Sequence, residues 1–137
     1  MKGLYALLVA LALASAACKK DDNTPTTPSA PTTKTDTFTG TVQVKSSVNH
    51  TFTVEQSGQV SVTLTAASPP PTIAMGIAVG TPANGACGVL QGASVTTAAG
   101  ATAQLTGVVS PGMLCVQISD VGNQTAAVTY TVTVTHP

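Results

Sequence analysis

The chain has 137 residues, with five Lys, no Arg, five acidic side chains and a formal net charge of zero. Charged residues make up 7% of it, against about 25% in ordinary globular chains. That balance excludes a nucleic-acid binder, which needs a basic patch to release counterions from phosphate. It also excludes a coiled coil, which needs Ala, Glu, Lys, Leu and Arg in quantity. Thr (24) and Val (17) dominate, and β-branched residues favour strands over helices.

Residues 1–17 have the pattern of a secretory signal. Lys2 is a short positive region, Leu4 to Ala14 is an apolar run of 11 residues, and the small residues Ser15, Ala16 and Ala17 follow. Eleven helical residues span only ~16 Å, too short for a bilayer core of ~30 Å. One reading is plain secretion, with cleavage after the A-x-A site Ala14-Ser15-Ala16. The other rests on the next residue. Leu13-Ala14-Ser15-Ala16-Ala17-Cys18 resembles the lipobox of bacterial lipoproteins, with Ser15 where that family prefers Leu. The resemblance implies that Cys18 becomes the first mature residue and carries a diacylglycerol thioether and an N-acyl chain. Several acyl chains anchor firmly, because each buried CH₂ contributes ~0.8 kcal/mol. Lys19 follows Cys18, without the Asp that retains many lipoproteins in the inner membrane, so the family rule points to the outer membrane.

Cysteine parity agrees with lipidation. The three cysteines are Cys18, Cys87 and Cys115. An exported chain with an odd count leaves one thiol to explain. With Cys18 acylated, Cys87 and Cys115 remain as one pair across 28 positions. A zinc or redox site lacks both the CxxC spacing and neighbouring His.

Residues 18–36 read as a tether. Lys19-Lys20-Asp21-Asp22 is a neutral solvated cluster, and the segment from Asn23 to Asp36 is rich in Thr and Pro, with Pro25, Pro28 and Pro31 three apart. Such a segment buries no core and favours extended polyproline structure, reaching ~45 Å over fifteen residues.

Residues 37–137 read as strands throughout. Phe38, Val42 and Val44 share one phase, and Phe52 and Val54 another. Gln56-Ser57-Gly58 marks a turn, after which Val60, Val62 and Leu64 alternate with Ser61, Thr63 and Thr65. Ser68-Pro69-Pro70-Pro71 ends that strand, since Pro donates nothing to a ladder. Ile73, Met75, Ile77 and Val79 follow, then a turn signal at Pro82-Ala83-Asn84-Gly85 and a weaker strand around Val89-Leu90. Ala101 to Val109 reads as a further strand, with Ala103 and Leu105 in phase. Pro111-Gly112 turns the chain into Leu114, Val116 and Ile118, and Asp120-Val121-Gly122-Asn123 is the last turn. Val128, Tyr130, Val132 and Val134 close the chain with Thr129, Thr131, Thr133 and Thr135 outward. About eight short strands with Gly/Pro turns make an all-β sandwich or barrel. Cys115 lies out of phase with Leu114 and Val116, so its bridge is expected on the outer face of a sheet, holding the loop from Ala83 to Gly88. An immunoglobulin-type bridge through the core is disfavoured. Trp is absent, and Met113 stands two residues before the second Cys, where that fold has its corner Tyr.

The runs His50-Thr51-Phe52-Thr53-Val54, Gly58-Gln59-Val60-Ser61-Val62-Thr63-Leu64, Pro111-Gly112-Met113-Leu114-Cys115-Val116-Gln117-Ile118-Ser119-Asp120 and Tyr130-Thr131-Val132-Thr133-Val134 resemble the bacterial pre-peptidase C-terminal domain. The resemblance implies an antiparallel jelly-roll-like β-sandwich that is not itself catalytic. Modules of this kind are often appended to secreted proteases, and this chain carries no peptidase.

The side-chain inventory gives no enzyme. Within residues 37–137 the ionisable groups, besides the two Cys and Tyr130, are Lys45, His50, Glu55, Asp120 and His136. Glu55 and Asp120 sit at turns, where acids bond local backbone. No nucleophile elbow accompanies a His–acid pair. His50 is expected to face solvent and His136 to fray near the chain end. Asp120 and Asn123 are weak calcium candidates, short of the six to eight oxygens that ion takes. No Gly-rich loop offers a phosphate site, so no nucleotide is expected, and no cofactor is implied. Asn49-His50-Thr51 and Asn123-Gln124-Thr125 match glycosylation sequons. What remains is a non-catalytic cell-envelope lipoprotein, anchored to a membrane through Cys18, whose sandwich acts as a structural or protein-interaction module. The alternative is a glycan-binding module or an accessory domain of a secreted hydrolase system; glycan binding ranks second because Phe38, Phe52 and Tyr130 fall on the core phase, away from any sugar.

Overall fold

The computed structural model describes Thr27 and residues 29–137. The signal segment, Cys18 and most of the tether lie outside the described residues. Eight strands follow in order: β1 (Lys34–Val42), β2 (Ser47–Val54), β3 (Gly58–Ser68), β4 (Met75–Ala83), β5 (Ala86–Thr97), β6 (Leu105–Val109), β7 (Gly112–Ser119) and β8 (Val128–His136). They form two four-stranded sheets, β1-β8-β3-β6 and β2-β7-β4-β5, with every pairing antiparallel. That order is the double Greek key of a jelly roll. Consecutive strands change sheet at every connection except β4 to β5. There the chain folds back through Asn84 (φ 50°) and Gly85 (φ 78°), the two-residue primed turn that Asn-Gly favours.

Period-two alternation builds the core. Val60, Val62 and Leu64 of β3, Leu114, Val116 and Ile118 of β7, and Val128, Tyr130, Val132 and Val134 of β8 all point inward and are buried. Each aliphatic side chain removed from water in this way contributes about 1.5–3 kcal/mol. The opposite face of β1 and β8 is a Thr ladder, with Thr35, Thr37, Thr39 and Thr41 set against Thr135, Thr133, Thr131 and Thr129. Hydroxyl and methyl groups suit a sheet that is wet on one side.

Three local expectations differ from the structure. β1 ends at Val42, so Val44 falls in the turn beyond it and is exposed. The strand expected over 101–109 shortens to Leu105–Val109. The cause is Gln104, whose side chain replaces backbone pairing. Its Oε1 accepts the Leu64 N–H at 2.7 Å, and its Nε2 donates to the Leu64 carbonyl at 3.2 Å. This occurs where β3 bulges between Leu64 and Ala66. Finally, the ordered domain starts before Thr37. β1 begins at Lys34, and Asp36 Oδ2 meets Nε2 of His136 at 3.1 Å. His136 is only 1% exposed, so the chain end is pinned and does not fray.

The Cys87–Cys115 bridge joins β5 to β7 within one sheet, straddling β4. Neither sulfur belongs to the core between the sheets. The bridge therefore lies on the outer side, as strand phase requires, although Cys87 sits in a strand and both residues are buried. Gly80 of the intervening β4 makes room for the β5 backbone. Gly80 faces Cys115 on one side and Val89 on the other, and a Cβ there would run into the Gly88 carbonyl oxygen.

Two outcomes follow from this framework. Replacing both cysteines by Ala opens a loop of 28 residues. By chain entropy that costs about 3–4 kcal/mol, on the order of 10–20 °C in melting temperature, with the far-ultraviolet dichroism of the folded state retained. A chain beginning at Thr37 strips His136 of its carboxylate partner. In urea titration it should be about 1–3 kcal/mol less stable than one beginning at Lys34.

Candidate functional site

The described ionisable groups are spread along one side of the sandwich. Asp120 opens the turn after β7. Its Oδ1 accepts the N–H groups of Gly122, Asn123 and Gln124 at 2.8–3.2 Å, and its Oδ2 accepts that of Lys45 at 2.7 Å. These donors, the Lys45 N–H foremost, hold its carboxyl below the usual carboxylate range. Asn123 donates its amide to the Ala74 carbonyl at 3.0 Å. The two calcium candidates are thus engaged with backbone, clasping the β1–β2 turn and the approach to β4. Among the described residues no three His, Cys, Asp or Glu side chains gather as metal ligands.

Glu55 lies at the far end of the same strand pair. β2 runs against β7 from Ser47 opposite Ser119 to Val54 opposite Gly112. Glu55 and Asp120 thus flank opposite ends of an eight-residue ladder, about 25 Å apart at ~3.3 Å per residue. They cannot act as a carboxylate pair, whose members stand within about 5–10 Å.

The two histidines depart most from expectation. His50 does not face solvent. It is half-buried, its ring stacks on Phe38 with centroids 4.7 Å apart, and its Nε2 lies 2.6 Å from the Tyr130 hydroxyl. Burial lowers the imidazole pKa below 6.5 and raises the phenol above 10.0. Both shifts favour neutral partners, in which the Tyr130 O–H donates to Nε2 and the ring proton sits on Nδ1. Gly40 stands opposite Tyr130 in the ladder, and a Cβ there would crowd the hydroxyl. His136 packs against Phe52, with ring centroids 5.2 Å apart, between Asp36 and the Pro137 carbonyl. Asp36 also lies 3.7 Å from the Lys34 ammonium. Asp36 is the partner that sequence reasoning missed. It alternates in phase with Phe38, which is the signal that could have placed it in β1.

Each imidazole thus has a nitrogen occupied and an aromatic neighbour. Among the described residues no Ser hydroxyl bonds to either ring. The arrangement closes the β1 side of the sandwich. Phe52 and Tyr130 are buried and Phe38 is half-buried, so the described aromatics present no exposed ring to a sugar. Among the described residues no helix is long and apolar enough to cross a membrane. A scan of protein-family models finds no match to this chain, and a search of curated proteins finds none either.

The His50–Tyr130 contact is open to measurement. His50→Phe leaves a buried hydroxyl unpaired and should cost about 1–3 kcal/mol in urea titration. The double variant with Tyr130→Phe should recover part of that loss, giving a measurable coupling energy. The pH dependence has a fixed sign. A His with a lowered folded pKa contributes stability that is full above 6.5 and is lost as the pH falls through the folded value. Urea midpoints should therefore fall more steeply below 6.5 in the native chain than in His50→Gln.

Proposed function

We propose that this chain is a non-catalytic lipoprotein of the cell envelope. Its Cys18 carries the lipid, its Thr/Pro-rich segment is a spacer, and its jelly roll is a structural or protein-interaction module held off the membrane. The observation that carries this reading is the Cys87–Cys115 bridge. With those two sulfurs joined, Cys18 is the one cysteine left, and it ends the lipobox-like run from Leu13. A bridged pair also suits an oxidising compartment outside the cytoplasm. Two further features favour a module over an enzyme. The acids Glu55 and Asp120 diverge, and the described histidines are tied to neighbours within the fold. A glycan-binding module would be favoured by an outward aromatic ring, and among the described residues Phe52 and Tyr130 are buried and Phe38 is half-buried.

Intact mass spectrometry of the native protein, before and after reduction, tests the proposal. The expected product begins at Cys18, is heavier than the polypeptide by a diacylglycerol and an acyl chain, and gains two hydrogens on reduction. It should partition into detergent, whereas Cys18→Ser should stay in the aqueous phase. An unmodified thiol at Cys18 on a detergent-free product would overturn the proposal.

A further inference from the structure

The β4–β5 hairpin turns at Asn84-Gly85, the one Asn-Gly pair in the sequence. Glycine after asparagine leaves the next backbone nitrogen unscreened, because no side chain keeps it from the asparagine Cγ. What decides its chemistry is whether the amide and that N–H are held.

The structure describes three asparagines in different surroundings. Asn123 is exposed, but its amide donates to the Ala74 carbonyl at 3.0 Å. The N–H that follows it, of Gln124, is held by Asp120 Oδ1 at 3.2 Å. Asn49 lies within β2, paired with β7, with its side-chain oxygen buried and the imidazole of His50 on the next residue. Asn84 is free on both counts. The ladder closes on Ala83 opposite Ala86, so Asn84 and Gly85 stand outside it. Among the described residues no hydrogen bond engages the Asn84 amide or the Gly85 N–H. Residues 81–86 are all exposed, and a Cβ at Gly85 would meet nothing within 4 Å.

We propose that Asn84 is a site of spontaneous deamidation in the folded protein. The Gly85 nitrogen gives up its proton to base and attacks Cγ of Asn84. The side-chain nitrogen leaves as ammonia, so one C–N bond forms as another breaks. The resulting succinimide takes up one water and opens at either carbonyl, to an aspartyl or an isoaspartyl residue. Nothing is oxidised or reduced. Attack requires rotation about the Asn84 Cα–C bond, and with both turn residues exposed no packed neighbour opposes it. The aspartyl product keeps the hairpin, since Asp-Gly suits the same primed turn. The isoaspartyl product adds a carbon to the backbone at the tip, while Cys87, bonded to Cys115, holds the start of β5 in place. Either product carries a carboxylate, ionised at neutral pH. That charge falls in a stretch, Gln56 to Ser119, that otherwise holds no Asp, Glu, Lys, Arg or His. The inference is independent of acylation at Cys18.

Isoelectric focusing and intact mass of the full chain, stored folded in mildly alkaline buffer, test it. The expected result is a band one charge more acidic that grows with time, heavier by the exchange of NH₂ for OH. It should grow faster as the pH is raised, because the attacking nitrogen must lose its proton. Fragmentation in the mass spectrometer should place the gain at Asn84, and an isoaspartyl-specific methyltransferase should label the product. Asn84→Gly retains a two-residue turn of the same type, and it should lose most of the acidic band. A charge that stays constant overturns the proposal. So does an acidic band that forms as fast in Asn84→Gly, or one that forms only after unfolding in urea.

Discussion

The structure depends on β8 lying between β1 and β3. Its inward side chains Val128, Tyr130, Val132 and Val134 are all but sealed from water, and both of its backbone edges are satisfied. A strand paired on both sides and buried on one face has no freedom of register, because a slip of one residue would expose its whole apolar set. The last strand in sequence therefore fixes the first. β1 can lie only where Asp36 reaches His136, and β3 only where its bulge brings Thr65 Oγ1 to the Thr131 carbonyl.

That dependence explains which parts of the fold were legible in the chain. Alternation is local, so the inward faces of β3, β7 and β8 follow directly from Val and Leu two residues apart. The bridge was accessible because three cysteines admit few pairings once one is set aside. Long-range partnerships were not accessible. His50 and Tyr130 are 80 positions apart, and Asp36 and His136 are 100 apart, so their contacts exist only after the sheets have assembled. A polar residue read alone is assigned to water, whereas here the topology supplies each with a partner. The Thr/Pro composition before residue 37 also hid the start of β1, because Lys34-Thr35-Asp36 looks like spacer until Phe38 is counted with it. Gln104 concealed itself in another way, since an amide side chain that mimics a peptide group leaves no periodic trace.

The division of polar chemistry in the molecule has one cause. Every described charged or imidazole side chain lies on β1, on β2, at the end of β8 or in the turns that flank β2 and β7, and there each of Asp36, His136 and Asp120 is spent on holding chain segments together. The rest of the sandwich relies on shape, hydroxyl groups and one covalent link. A domain of this size with so small a charged inventory gains little from surface electrostatics. Its stability rests on packing and on the bridge.

The turn between β1 and β2 has a consequence for turnover. Lys45 is the last lysine in the sequence, and no Arg follows it. It sits in left-handed backbone (φ 58°) with its N–H held by Asp120. An endopeptidase that recognises Lys or Arg therefore meets a single pinned peptide at this turn and no cleavable bond in any later strand. Degradation of the sandwich falls to hydrolases of other specificity.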